Sequence, residues 1–221
     1  MRNSHFIAGW IGAAVVANIV AVTVVSIFAA ESLPSLFVVA LIEGACLGAM
    51  QRSLVHRRSS AVRGWFFATL AGVVAGRIVQ YALENGPWMP EIYRWPHLLQ
   101  LVAGAGAGLA VGAVMALPQI PSLKGHVRST GVWVVTRALS TAATFVVLGF
   151  AQFMLGVPDV TFAEIFCLLL LIAATAGAIG AAIEAPVMAQ LLAASDCREP
   201  VDRVPAPNPD CNPHSGRASA A

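Results

Sequence analysis

Six stretches of the chain, roughly 6–30, 35–55, 64–83, 98–117, 131–155 and 162–185, run for about 20 residues or more with almost no charge. That is the length and character a helix needs to cross the hydrocarbon core of a bilayer. Lipid offers the backbone no water to bond, so each stretch must satisfy its own N–H and C=O groups, and a helix does so. The fold class that follows is all-α, a polytopic membrane protein of six transmembrane helices. Composition points the same way: 58% of the 221 residues are hydrophobic and 11% charged, where a soluble domain has about 25% charged. A soluble globular enzyme, a disordered protein and a nucleic-acid binder with a basic face are excluded.

The first apolar run begins behind a single base, Arg2, is about 25 residues long, and ends in Phe28-Ala29-Ala30, a poor cleavage site. It reads as a retained first span. The connectors then alternate in charge. The first has Glu31 and no base, the second Arg52, Arg57, Arg58 and Arg63, the third Glu84 and Glu91 against Arg94, the fourth Lys124 and Arg128, and the fifth Asp159 and Glu164. Short basic loops stay in the cytoplasm, so both termini are expected there. Trp88, Tyr93 and Trp95 in the third connector suit the opposite interface, where aromatic rings settle among headgroups. Residues 1–195 form the six-span bundle. In 196–221 five of the 13 prolines crowd among polar residues, and such a segment is expected to be a disordered cytoplasmic tail.

Shifting the chain by 68 residues lays Gly44-Ala45 on Gly112-Ala113 and then on Gly180-Ala181, Gln51 on Gln119, and Trp65 on Trp133. Trp10 opens the first span as Trp65 and Trp133 open the third and fifth, at a shorter spacing that reflects the short first connector. The simplest reading is an internal repeat of three helical hairpins. A hairpin has two spans, so its copies share one orientation and are related by an axis along the membrane normal.

The unit Gly44-x-x-x-Gly48-x-x-Gln51-x-x-Leu54, a basic loop, then Trp65-x-x-x-Thr69-x-x-Gly72 resembles one found in a group of small bacterial polytopic membrane proteins with repeated G-x-x-x-G-x-x-Q…W hairpins. The resemblance covers about 44–76 well and 108–140 weakly. This chain departs from the pattern with Arg52 after the Gln, and with Ala116, Pro118 and Pro121 around Gln119. The resemblance implies an inner-membrane location and carries no activity with it.

Small residues let helices approach closely in lipid. Gly44/Gly48, Gly72/Gly76 and Gly104/Gly108/Gly112 each lie four apart on one helix face, and the last makes the fourth span the expected centre of the bundle. Charges in the bilayer face the protein interior or pair. Glu43 lies about 12 Å below the outer surface and Arg77 about 9 Å below it, at 1.5 Å per residue, so an intramembrane Glu43–Arg77 pair is expected, with Gln80 one turn further out. Arg137 and Glu184, nearer the cytoplasm, have two readings: a second pair across spans 5 and 6, or two side chains that each reach interfacial water. Asn18, Thr23 and Ser26 are expected to bond between helices.

The chain has no HExxH, GxSxG or P-loop, the histidines lie in loops or termini, and the four cysteines have no metal-ligand spacing. No catalytic site, metal or cofactor is expected. The partners are the lipid bilayer and a membrane-protein partner or second copy of the chain, not nucleic acid. Two functions fit: a non-catalytic accessory or assembly component docking through its Gly faces, or a small-solute or ion pathway lined by Glu43 and Arg77.

Overall fold

A computed structural model of the protein describes residues 3–28, 33–58, 64–124, 130–154 and 162–196. The tail from 197 onward, and the loop bases Arg63 and Arg128, lie outside the described residues. Six helices are long and apolar enough to cross a membrane, and among the described residues there is no strand. The spans are α1 (Asn3–Phe28), α2 (Leu33–Arg58), α3 (Trp65–Glu84), α5 (His97–Ala116), α7 (Thr130–Met154) and α8 (Phe162–Asp196). Two short helices sit in the connectors, α4 (Met89–Ile92) and α6 (Ile120–Leu123), the latter reached through a 3₁₀ turn at Leu117–Gln119.

Local chemistry sets several boundaries. Gly64 precedes α3 with φ 76°, a left-handed conformation that L side chains rarely adopt. Pro118, which has no N–H to give an α-helix, falls in the 3₁₀ turn after α5. Apolar patterning ends the last span near 185, just before Pro186, but α8 continues through that proline to Asp196. The turns beyond Pro186 bury Met188, Ala189 and Leu192 against Phe6, Trp10, Val55 and Leu123. That burial offsets the backbone hydrogen bond a proline forgoes.

Each span packs on its neighbours in the sequence, and α8 packs back on α1, so the six spans close into a ring. The fourth span, α5, is therefore one member of the ring, not its centre. The closest associations are α5 with α7, α1 with α8, and α2 with α3. Each joins the second helix of one hairpin to the first helix of the next, with α8 and α1 completing the cycle. Large apolar side chains such as Phe37, Leu41, Phe67, Val102, Val135, Leu139 and Leu171 are exposed, as a lipid-facing surface requires.

Glycine makes the close approaches possible. A Cβ on Gly44 would lie 3.2 Å from the Leu70 Cα, and one on Gly48 3.0 Å from the Phe66 carbonyl oxygen, both in α3. On α5, a Cβ at Gly108 would meet the Ala142 Cα at 2.6 Å and one at Gly112 the Arg137 carbonyl at 2.5 Å, both in α7. Gly72 and Gly76 press instead on Met115 of α5. Gly104 does not belong to this set: a Cβ there would meet nothing within 4 Å. Contact between α5 and α7 nevertheless extends past Gly104, since a Cβ on Gly149 would meet Leu101 Cδ2 at 3.1 Å.

Candidate functional site

Trp10, Trp65 and Trp133 begin the three odd-numbered spans, and the structure gathers them at one end of the ring. Their ring centroids are 6.2, 6.2 and 6.0 Å apart, a nearly equilateral triangle. All three are fully buried. An indole N–H buried in this way needs an acceptor, and each finds one on an even-numbered span or, for Gln119, in the 3₁₀ turn that follows the fourth. Trp65 Nε1 donates to Gln51 Oε1 at 3.2 Å, Trp133 Nε1 to Gln119 Oε1 at 2.7 Å, and Trp10 Nε1 to Glu184 Oε2 at 3.3 Å.

The contact pattern around these bonds occurs three times. Gly44, Gly112 and Gly177 each stand seven residues before an acceptor. They face Leu70 and Val73, then Arg137, Ala138 and Thr141, then Ala14 and Asn18, on the helix that supplies the Trp. In α8 the glycine in this place is Gly177. Gly180, which the constant 68-residue shift selects, faces Ser140 and Thr144 of α7 instead. Gln51 to Gln119 spans 68 residues and Gln119 to Glu184 spans 65, so a fixed shift misaligns the last helix by nearly one turn.

Four residues after each Trp stands Ala14, Thr69 or Arg137. Thr69 donates to Gln51 Oε1 at 3.5 Å and accepts from Gln119 Nε2 at 3.2 Å. Arg137, in the corresponding place of α7, donates from Nη1 to Glu184 Oε1 at 2.5 Å, and Ser140 donates to the same oxygen at 2.6 Å. Glu184 thus holds three donors and is 2% exposed.

The second pair of charges lies further from the Trp triangle. Arg77 stands eight residues beyond Thr69, about 12 Å along the helix at 1.5 Å per residue. Its Nε and Nη2 donate to Glu43 Oε2 at 2.9 and 2.7 Å, and its Nη1 to Gln80 Oε1 at 2.9 Å. Gln80 Nε2 donates on to Glu84 at 2.8 Å, so the chain of polar groups leads to the end of α3. The structure therefore brings together Glu43 with Arg77, which the sequence places at matching depths, and Arg137 with Glu184. Asn18, Thr23 and Ser26 do not bond between helices: each donates to a carbonyl four residues back on α1, the nearest acceptor available to a short polar side chain in a helix.

Both pairs line one cavity of about 110 Å³ at the centre of the ring. Every span contributes to its wall: Asn18 from α1, Glu43 from α2, Arg77 from α3, Met115 from α5, Thr144 from α7 and Glu184 from α8 are examples. None of the three Trp residues lines it. They pack with Phe6, Met188 and Leu192 in a buried apolar cluster. In the sequence Gln51, Gln119 and the tryptophans stand out as recurrences, and the one signal that could join them is the step of 14 residues from Gln to the following Trp, the same in both cases. Nothing in that recurrence announces the cavity beside them.

Fold and site together define a multi-pass helical membrane protein with a charged, centrally placed cavity. Comparison with protein-family models, with curated proteins and with solved structures finds no match to this chain.

Proposed function

We propose that this protein is a small-solute or ion pathway of the bacterial inner membrane, built from three copies of one hairpin unit, with both termini and the Trp triangle on the cytoplasmic side. One observation carries the reading: two ion pairs on four different helices line a single cavity to which all six spans contribute. Ionisable groups inside a membrane are costly and mark ion and substrate paths. Four of them around one cavity are more than packing requires. The Trp triangle is the closed end of the path, and the polar chain from Arg77 through Gln80 to Glu84 is its wetter end.

The pathway is favoured over an accessory or assembly component because the glycine faces are filled from within. Gly44, Gly48, Gly72, Gly76, Gly108 and Gly112 all press on helices of this same chain. They are not available to dock another protein.

Stopped-flow light scattering of proteoliposomes, challenged with a panel of small neutral and charged solutes, tests the proposal. Trp65→Ala, which opens the apolar plug and leaves the four charges in place, is expected to admit at least one solute faster than wild type. Permeation equal to protein-free vesicles for every solute, in wild type and variant alike, would overturn it.

A further inference from the structure

We infer that the central cavity binds a small monovalent anion of halide, nitrate or formate size, seated against Arg137. The inference rests on the cavity of the proposed pathway, and binding there is measurable without transport.

Donors and acceptors around the cavity do not balance. Both carboxylates are already paired. Glu184 accepts from Arg137, Ser140 and Trp10, and Glu43 accepts twice from Arg77. On the cationic side a donor is left over. Arg137 is 9% exposed, and its Nε–H is buried with no hydrogen-bond partner. A buried charged donor without an acceptor is the state proteins avoid, and an anion supplies the acceptor with a charge-assisted bond.

The wall around Arg137 suits such a guest. Arg137, Ser140, Thr141 and Thr144 form one stripe of α7, all lining the cavity. Thr144 divides its hydroxyl between the Ser140 carbonyl at 3.1 Å and the Ala176 carbonyl at 3.3 Å. Both are long for an O–H···O bond, so this hydroxyl turns toward an incoming acceptor with the least loss. Arg77 adds a second guanidinium further along the same cavity. Each carboxylate on the wall is shared with its own guanidinium, so neither stands as a free anionic seat for a cation.

Size and charge narrow the class. A volume of 110 Å³ holds several waters, each needing about 10–15 Å³, and so a monatomic or few-atom anion with part of its hydration. The four ionised groups sum to zero, which suits one negative charge better than two or three.

Chloride NMR line broadening on the purified full-length protein in detergent measures this directly. Broadening that excess nitrate reverses, and that exchange of sodium for potassium leaves unchanged, is expected. Arg137→Lys keeps the charge and removes the Nε–H. The pair R137T/E184Q removes both charges together and leaves no orphan. Each is expected to weaken chloride binding at least about tenfold, the loss of one charge-assisted bond. Absence of nitrate-reversible broadening in wild type would overturn the inference. So would broadening unchanged in whichever of the two variants folds. Chloride binding with no solute flux would instead overturn the pathway and leave the anion site standing.

Discussion

The Arg137–Glu184 and Glu43–Arg77 pairs use the same two chemical groups and line the same cavity, yet they stand in different surroundings. The side chains of Arg137 and Glu184 are 11% and 3% exposed, and those of Arg77 and Glu43 are 27% and 10% exposed. Glu184 also holds Trp10, so the inner pair is tied to the contact by which α8 meets α1 and the ring closes. The outer pair touches no tryptophan and leads through Gln80 toward Glu84 at the end of α3. The difference teaches that one charged pair is built into the frame, while the other sits at the wetter end of the cavity.

The largest expected effect follows from breaking the inner pair alone. Glu184→Gln keeps one carbonyl oxygen, enough for Trp10, but puts an NH2 where Ser140 and Arg137 now donate. It leaves Arg137 a buried charge without a counter-ion, a loss of roughly 3–5 kcal/mol. Reversible unfolding in mixed micelles measures it, and a loss below about 1 kcal/mol would mean that Arg137 reaches water. The outer pair sharpens the comparison. Glu43→Gln or Arg77→Gln is expected to cost less than Glu184→Gln, because Arg77 can extend its charged head toward the nearby surface. E43Q/R77Q together should be better tolerated than either alone. Equal losses for the inner and outer single variants would erase the distinction between the two pairs.

A smaller effect separates two glycines of α5. Gly112→Leu drives a side chain into the backbone of α7, where a Cβ already meets the Arg137 carbonyl at 2.5 Å. Overpacking of this kind costs roughly 1–3 kcal/mol. A Cβ at Gly104 would meet nothing within 4 Å, and Gly104→Leu is expected to leave the midpoint of unfolding unchanged.

The parts of this architecture that sequence reveals are those set by local or one-dimensional rules. Apolar length marks the six spans, and helical rise alone places Glu43 level with Arg77. Ring closure is different, because it depends on which helix α8 meets, and no local pattern in residues 162–196 names α1. The continuation of α8 past Pro186 is hidden for a related reason: burial of Met188 and Leu192 comes from residues nearly the whole chain away. A repeat sought at one constant shift aligns Gly180 where the contacts place Gly177, since the last hairpin is shorter by three residues. Gly104 groups with Gly108 by spacing alone, and spacing does not say which glycine of the run meets a neighbouring helix.

The central claim is that the three Trp-to-acceptor contacts are equivalent and that the charged one is a variation on the other two. R137T/E184Q puts a threonine and a glutamine where Thr69 and the acceptors Gln51 and Gln119 already work together. Its unfolding free energy, measured beside that of E184Q, tests the claim most directly. The double variant is expected to lie within about 1 kcal/mol of wild type while E184Q alone loses roughly 3 kcal/mol or more. A double variant as unstable as E184Q, or worse, would contradict it.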